Sequence, residues 1–142
     1  MKSVNDIMTS DVSCCKEDDH LYDAATLMKE RNVGAIPVCR ENNELVGMVT
    51  DRDLVIRGYA AKKPGSAAIT EVMSDKLYHV APDASLQEAS QVMADHQIRR
   101  LPVVQQGKLV GIISLGDLSV EDMSNQAAGT ALEEISERPE VH

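Results

Sequence analysis

The chain has 142 residues, of which 43% are apolar, and a formal net charge of −9; this length fits one compact domain or two very small ones packed together. The acidic charge argues against nucleic-acid binding through phosphate neutralisation, and a chain with no Trp, no Phe and three Tyr has almost no platform for stacking bases. No apolar stretch is long enough to cross a bilayer and no signal peptide is recognisable, so we expect a cytoplasmic protein that does not contact membranes.

The chain repeats itself once. Residues 4–38 align with residues 69–103 at a constant offset of 65, and residues 44–54 align with residues 108–118 at an offset of 64; twelve of these 46 pairs are identical. Two copies of one unit predict two copies of one fold, related by a pseudo-twofold axis and sharing a core. Packing of this kind leaves a cleft along the axis, and clefts are common ligand sites.

Each unit has the pattern β-α-β-β-α, which predicts an α+β fold built from tandem repeats. In each unit a helix with apolar residues at helical spacing separates the first two strands, and a second helix begins at Asp51 and at Leu115. Asp18 or Asp19 and Asp83 precede the first helices as expected N-caps. The predicted strands are Val12–Cys15, Gly34–Cys39, Leu45–Thr50, Leu77–Val80, Arg100–Val104 and Leu109–Ser114.

These elements divide the chain into four parts. Repeat 1 covers residues 4–58, a linker covers 59–68 and repeat 2 covers 69–120. Residues 121–142 form an acidic tail that we expect to be flexible.

The third strand of each unit ends in the same short motif: Gly, two apolar residues, a hydroxyl residue, two other residues, then Asp. The hydroxyl residues are Thr50 and Ser114, and the carboxylates are Asp53 and Asp117. A helix N-terminus suits a phosphate, and a carboxylate one turn later is able to accept two ribose hydroxyls. The alternative is a simple capping pair; the presence of the motif in both copies favours ligand binding.

Residues 4–118 resemble a cystathionine-β-synthase (CBS) domain pair, also called a Bateman module. The resemblance rests on the two motifs, on the Pro37-Val38 and Pro102-Val103 strands, and on the openings Asp6-Ile7-Met8 and Glu71-Val72-Met73. It implies β-α-β-β-α repeats, an adenosine-containing ligand in the cleft between them, and pairing into a disc-like homodimer. Such modules usually regulate an enzyme or a channel.

The resemblance also implies roles for individual residues. Asp53 and Asp117 take ribose hydroxyls, with Thr50 and Ser114 beside the ribose and phosphate. Residues 98–103 are similar to a phosphate-holding strand in the gamma subunit of AMP-activated protein kinase, which implies phosphate contacts from Arg99 and Arg100. The implied adenine pocket consists of Ile36, Pro37, Leu101, Pro102 and Ile112.

The two repeats differ at the phosphate position. Gly34-Ala35 of repeat 1 replaces the two Arg of repeat 2, and Arg52 is a candidate substitute from the following helix start. We therefore expect the site centred on Asp117 to bind anionic nucleotides better than the site centred on Asp53.

The three cysteines, Cys14, Cys15 and Cys39, are interpreted as small buried apolar residues. An odd number in an intracellular chain argues against structural disulfides. No cluster of His, Cys and carboxylates has metal-ligand spacing, so we expect no metal.

The leading hypothesis is a stand-alone regulatory module. It is a homodimer that binds an AMP-, ADP- or ATP-like ligand, has no other cofactor, and signals to an unidentified partner protein. We find no nucleophile–base pair and assign no catalytic residue, so an enzyme is not expected. The alternatives are a ligand-free interaction module and a small nucleotide hydrolase. The ligand stays open among AMP, ADP, ATP, S-adenosylmethionine and NAD.

Overall fold

The computed structural model describes residues 2–122, and they form a mixed α and β structure, as predicted. The last helix, α5, begins at Leu115 and continues through the described residues to 122. Helix α3 starts as Asp51–Asp53 and continues as a π-helical segment, Leu54–Tyr59. The other elements are α1 (Val4–Ile7), β1 (Cys15–Lys16), α2 (Leu21–Arg31), β2 (Ala35–Arg40), β3 (Glu44–Thr50), α4 (Leu86–His96), β4 (Arg100–Gln105) and β5 (Lys108–Ser114).

One five-stranded sheet joins the two repeats in the order β1-β2-β3-β5-β4. Strand β1 runs parallel to β2, and the other neighbours are antiparallel. The hairpins β2–β3 and β4–β5 meet where Glu44 pairs with Lys108. These two residues are equivalent at the offset of 64, so the predicted pseudo-twofold axis passes through their pair, where opposite charges face each other across the strands.

The beginning of each repeat packs on the other repeat. The backbone N–H of Val4 donates to the carbonyl of Ala84 at 2.9 Å, and the equivalent N–H of Ile69 donates to the carbonyl of Asp19 at 2.9 Å. Val4 is buried in the core cluster of repeat 2, and Ile69 in that of repeat 1. The two cores are therefore completed reciprocally, which suits units too small to bury a good core alone.

Close backbone approach explains why Gly47 and Gly111 are identical in the two copies. A Cβ on Gly111 would lie 2.5 Å from Met8 Sδ and 2.9 Å from the carbonyl of Thr9, and a Cβ on Gly47 would meet Met73 Sδ at 2.7 Å. Only glycine leaves room for the segment that arrives from the other repeat.

The predicted N-caps are wrong by one or two residues. The cap residues are His20 and Ser85, not Asp18, Asp19 or Asp83. The carboxylate of Asp19 instead accepts the backbone N–H of residue 16 at 2.8 Å, because Asp side chains readily form such local turns.

The first strand of each repeat is shorter than predicted. Val12–Cys15 was expected, and Cys15–Lys16 is observed. In place of the predicted strand Leu77–Val80, the structure has a single β-bridge between Val80 and Val103. Val12, Ser13 and Tyr78 line cavities and have no strand partner within residues 2–122. The predicted tail lies outside the described residues except for 121 and 122; Glu121 pairs with Lys2 at 2.9 Å.

Candidate functional site

Two cavities lie beside the sheet, with volumes of about 870 Å³ and about 330 Å³. Many residues that line one have their repeat equivalent lining the other, so the cavities are two versions of one cleft. The larger is lined, among others, by Met48, Ser74, Lys76, Tyr78, Ile98, Arg100 and Pro102, and the smaller by the equivalents Ile112, Thr9, Asp11, Ser13, Val33, Ala35 and Pro37.

Backbone hydrogen bonds hold each helix start against the residue that precedes the proline-containing strand. The N–H of Leu115 donates to the carbonyl of Arg99 at 2.8 Å, and Asp51 donates to Gly34 at 2.9 Å. Arg100 then stands opposite Ser114 in the β4–β5 ladder. The fold therefore places the basic pair directly beside the hydroxyl residue of the second motif.

The arginines of the larger cavity lack ion-pair partners among residues 2–122. Arg31, Arg40 and Arg57 each lie within 4.0 Å of an acidic side chain. The other arginines of the described chain, Arg52, Arg99 and Arg100, have no such pair there, and all three line the larger cavity, as does Lys76. The lining of this cavity therefore has four cationic side chains and two carboxylates, those of Asp51 and Asp53. The excess of positive charge suits an anion.

Both motifs form reciprocal capping boxes. Thr50 N–H donates to Asp53 Oδ2 at 2.9 Å, while Thr50 Oγ1 accepts from Asp53 N–H at 3.0 Å. Ser114 and Asp117 make the same two bonds, each at 3.0 Å. The capping interpretation is therefore realised in both copies, and it uses one carboxylate oxygen of each Asp. The second oxygen, Oδ1 of Asp53, lies 3.8 Å from Arg57 Nη1.

The structure divides the predicted site residues between the two cavities. Leu101 is fully buried in the core and lines neither, because alternate residues of a strand face opposite sides. Asp117 is half-buried beside Ser114 and also lines neither. Arg100 lines both cavities. The larger cavity brings together Thr50, Arg52, Asp53, Arg99, Arg100, Pro102 and Ser114, and the smaller one Ile36, Pro37, Arg100 and Ile112.

Sequence reasoning missed Ser74, Lys76 and Tyr78, which line the larger cavity. The Tyr78 ring stacks on the His96 ring with a distance of 3.6 Å between the ring centroids. This stacking holds Tyr78 in place in the cavity wall. One signal was present: Lys76 is the single Lys or Arg between Pro64 and Ile98.

Two further features bear on function within the described part of the chain. Residues 2–122 contain no group of three or more His, Cys, Asp or Glu side chains placed to hold a metal ion. No helix in this range is both long and apolar enough to cross a membrane.

Comparison with known proteins agrees with this architecture. The CBS domain family matches residues 4–58 and 69–123. The protein YlbB of Bacillus subtilis is 52% identical over 138 residues, 96% of this chain and 93% of that protein. Hypoxic response protein 1 of Mycobacterium tuberculosis is 42% identical over 120 residues, 84% of each chain. A crystal structure of CBSX2 in complex with AMP is 28% identical with a TM-score of 0.78, covering 89% of this chain and 98% of that one. The chain therefore belongs to the CBS-domain family and is a CBS-domain pair.

Proposed function

We propose that the protein is a regulatory module that binds a phosphate-bearing adenosine compound, of the AMP, ADP or ATP type, in the larger cavity without transforming it. The observation that carries the proposal is the convergence of Arg52, Arg99 and Arg100, the arginines without ion pairs in the described chain, on one cleft. An arginine at such a position is available to donate charge-assisted hydrogen bonds to phosphate oxygens.

The arrangement suits the remaining parts of a nucleotide as well. Met48 and Pro102 supply apolar wall for a base, and the cavity of about 870 Å³ lies within the usual range for small-molecule sites. The AMP complex of CBSX2, a structural neighbour, supports this ligand class. The positive charge disfavours S-adenosylmethionine, whose sulfonium is cationic.

Thermal unfolding of nucleotide-stripped protein tests the proposal. AMP, ADP, ATP, NAD, adenosine and S-adenosylmethionine are compared at equal concentration. A ligand present at about one hundred times its Kd adds roughly 2.7 kcal/mol, which raises Tm by several degrees in a chain of this size. We expect the phosphate-bearing compounds to raise Tm more than adenosine does.

A matched pair of variants assigns the shift to the cavity. Arg99→Ala removes a cation that lines only the larger cavity, whereas Arg40→Ala removes an exposed arginine that pairs with Glu17 and Glu44 away from the cavity. The shift should shrink only in Arg99→Ala. If no adenosine compound raises Tm, or if both variants weaken the shift equally, the proposed site is wrong.

We also propose that a cytoplasmic homodimer forms through helices α3 and α5 and passes the ligand signal to a partner protein. Val55, Ile56 and Tyr59 on α3 and Val120 on α5 are exposed apolar residues, and Ile56 and Val120 are repeat equivalents. Apolar residues exposed in this way are typical of protein contacts. Ile56→Asp should convert the dimer to a monomer in light scattering. Tyr22 is an exposed residue on α2, so Tyr22→Asp is the control and should remain a dimer. A monomeric wild-type protein would overturn the dimer.

A further inference from the structure

Two of the three cysteines face each other on one side of the sheet. Cys15 pairs with Val38 and Lys16 with Cys39 in the parallel β1–β2 register. Because side chains alternate along a strand, Cys14 lies on the same side as Lys16 and Cys39, and Cys15 lies on the other. Cys14 accordingly packs on the core cluster that contains Cys39, while Cys15 belongs to a different cluster. A hydrogen bond joins the thiols of Cys14 and Cys39.

The two sulfur atoms differ in accessibility and in chemistry. Cys14 is half-buried and Cys39 is 3% exposed. The hydrogen bond from the Cys39 thiol lowers the pKa of Cys14 to about 7; Lys16 lowers it further, while burial and Asp19 oppose the shift. The same hydrogen bond and burial raise the pKa of Cys39. Burial raises the pKa of Cys15 to about 12. Cys14 is therefore the reactive thiolate, with Cys39 in position as its resolving partner.

We propose that Cys14 and Cys39 form a peroxide-responsive thiol pair that closes to an intramolecular disulfide. The Cys14 thiolate attacks one oxygen of hydrogen peroxide, the O–O bond breaks, and the other oxygen leaves as hydroxide. Cys14 is then a sulfenic acid. The Cys39 sulfur then attacks the Cys14 sulfur, the S–O bond breaks, and water leaves with the Cys39 proton. The two sulfurs lose two electrons and the peroxide gains them.

Closure would join two walls of the smaller cavity. Asp11, Val12 and Ser13 lead directly into Cys14, and Ile36 and Pro37 precede Cys39 on β2. A covalent bond between Cys14 and Cys39 holds these two segments together, so oxidation would fix the shape of that cleft. The modification therefore offers a redox input at the smaller cavity, distinct from the ligand proposed for the larger one.

Thiol counting on the reduced full-length protein tests this inference. We expect hydrogen peroxide to lower the free thiols from three to one per chain. After blocking of the remaining thiol and digestion with trypsin, fragments 3–16 and 32–40 should run as one species without reductant and separate with it. Because fragment 3–16 contains both Cys14 and Cys15, fragmentation mass spectrometry of the reduced fragment should place the blocking group on Cys15. A count that stays at three, a bond that includes Cys15, or a bond between two chains would overturn the proposal.

Two variants fix the order of the steps. Cys15→Ser is the matched control, and peroxide should lower its free thiols from two to none. Cys39→Ser removes the resolving thiol, so Cys14 should stop as a sulfenic acid that dimedone traps. The wild-type peptide map decides the question even if Cys39→Ser fails to fold. Dimedone adducts on Cys15 instead of Cys14 would contradict the assignment.

Discussion

The substitution Asp117→Ala separates the two interpretations of the motif at the end of β5. Asp117 Oδ2 accepts the N–H of Ser114 at 3.0 Å, and Ser114 Oγ accepts the N–H of Asp117 at 3.0 Å. If the carboxylate only caps the helix, its removal affects stability alone. If it also takes ribose hydroxyls through its second oxygen, its removal affects ligand affinity as well.

The two losses have different expected sizes. Loss of an N-terminal cap costs about 1 kcal/mol, which lowers Tm by roughly 3–6 °C in a domain of this size. Loss of hydrogen bonds to a charged group costs a further 1.5–3 kcal/mol or so in binding, and this corresponds to a roughly 10- to 150-fold weaker Kd. A fall in stability cannot mimic that change when Kd is measured well below Tm.

Calorimetry with AMP, together with thermal unfolding, measures both quantities. Asp53→Ala is the matched variant, because it removes the same cap bond from the first motif. Ser114→Ala removes the hydroxyl and keeps the carboxylate. We expect all three to lose stability. The ribose assignment requires that Asp117→Ala also weaken AMP binding. If Asp117→Ala lowers Tm and leaves Kd within about twofold, Asp117 is a capping residue and the ribose assignment is refuted.

Three further predictions follow from contacts elsewhere. Gly111→Ala places a methyl group 2.5 Å from Met8 Sδ and should lower the free energy of unfolding by about 1–3 kcal/mol; Gly116→Ala, whose nearest atom is 3.7 Å away, should not, and equal losses in chemical denaturation would contradict the close approach. Arg100→Ala should weaken AMP binding about tenfold or more in calorimetry and leave adenosine within about twofold, since only AMP carries a phosphate; an equal loss for both ligands would contradict a phosphate contact. The alkylation rate of Cys14 by iodoacetamide should be half-maximal near pH 7 and rise above it, because the hydrogen bond from Cys39 favours the thiolate; a midpoint at or above about 8.5 would contradict this.

The sequence predicted the order of the elements because the helices have strong periodic patterns. The apolar residues Leu21, Ala24 and Met28 are buried at the expected spacing on α2, and α3 begins at the predicted Asp51. The helix starts at His20 and Ser85 were missed, since each is preceded within two residues by Asp, a residue type that both caps helices and forms turns. Local sequence does not decide between those two roles.

The exchange of N-terminal segments was beyond local reasoning. Nothing in residues 4–7 shows that Val4 completes the core of repeat 2. An indirect signal was present in the identity of Met8 with Met73 and of Gly47 with Gly111, because these residues meet at the crossing of the two repeats. Lys76 was missed for the same reason: it reaches the cavity from a segment whose path depends on the other repeat.

The identical pairs and the divergent pairs of the repeats have different physical roles. The bridges from Thr9 to Ile112 and from Ser74 to Met48 are equivalent, so the backbone walls of the two clefts match. The side chains do not: the position of Lys76 in the larger cleft is occupied by Asp11 in the smaller one, and Arg52 and Arg99 line only the larger cleft. The clefts therefore differ in volume, about 870 Å³ against about 330 Å³, as well as in charge. Since the larger cleft has both the greater space and the additional cations, the anion should enter it first.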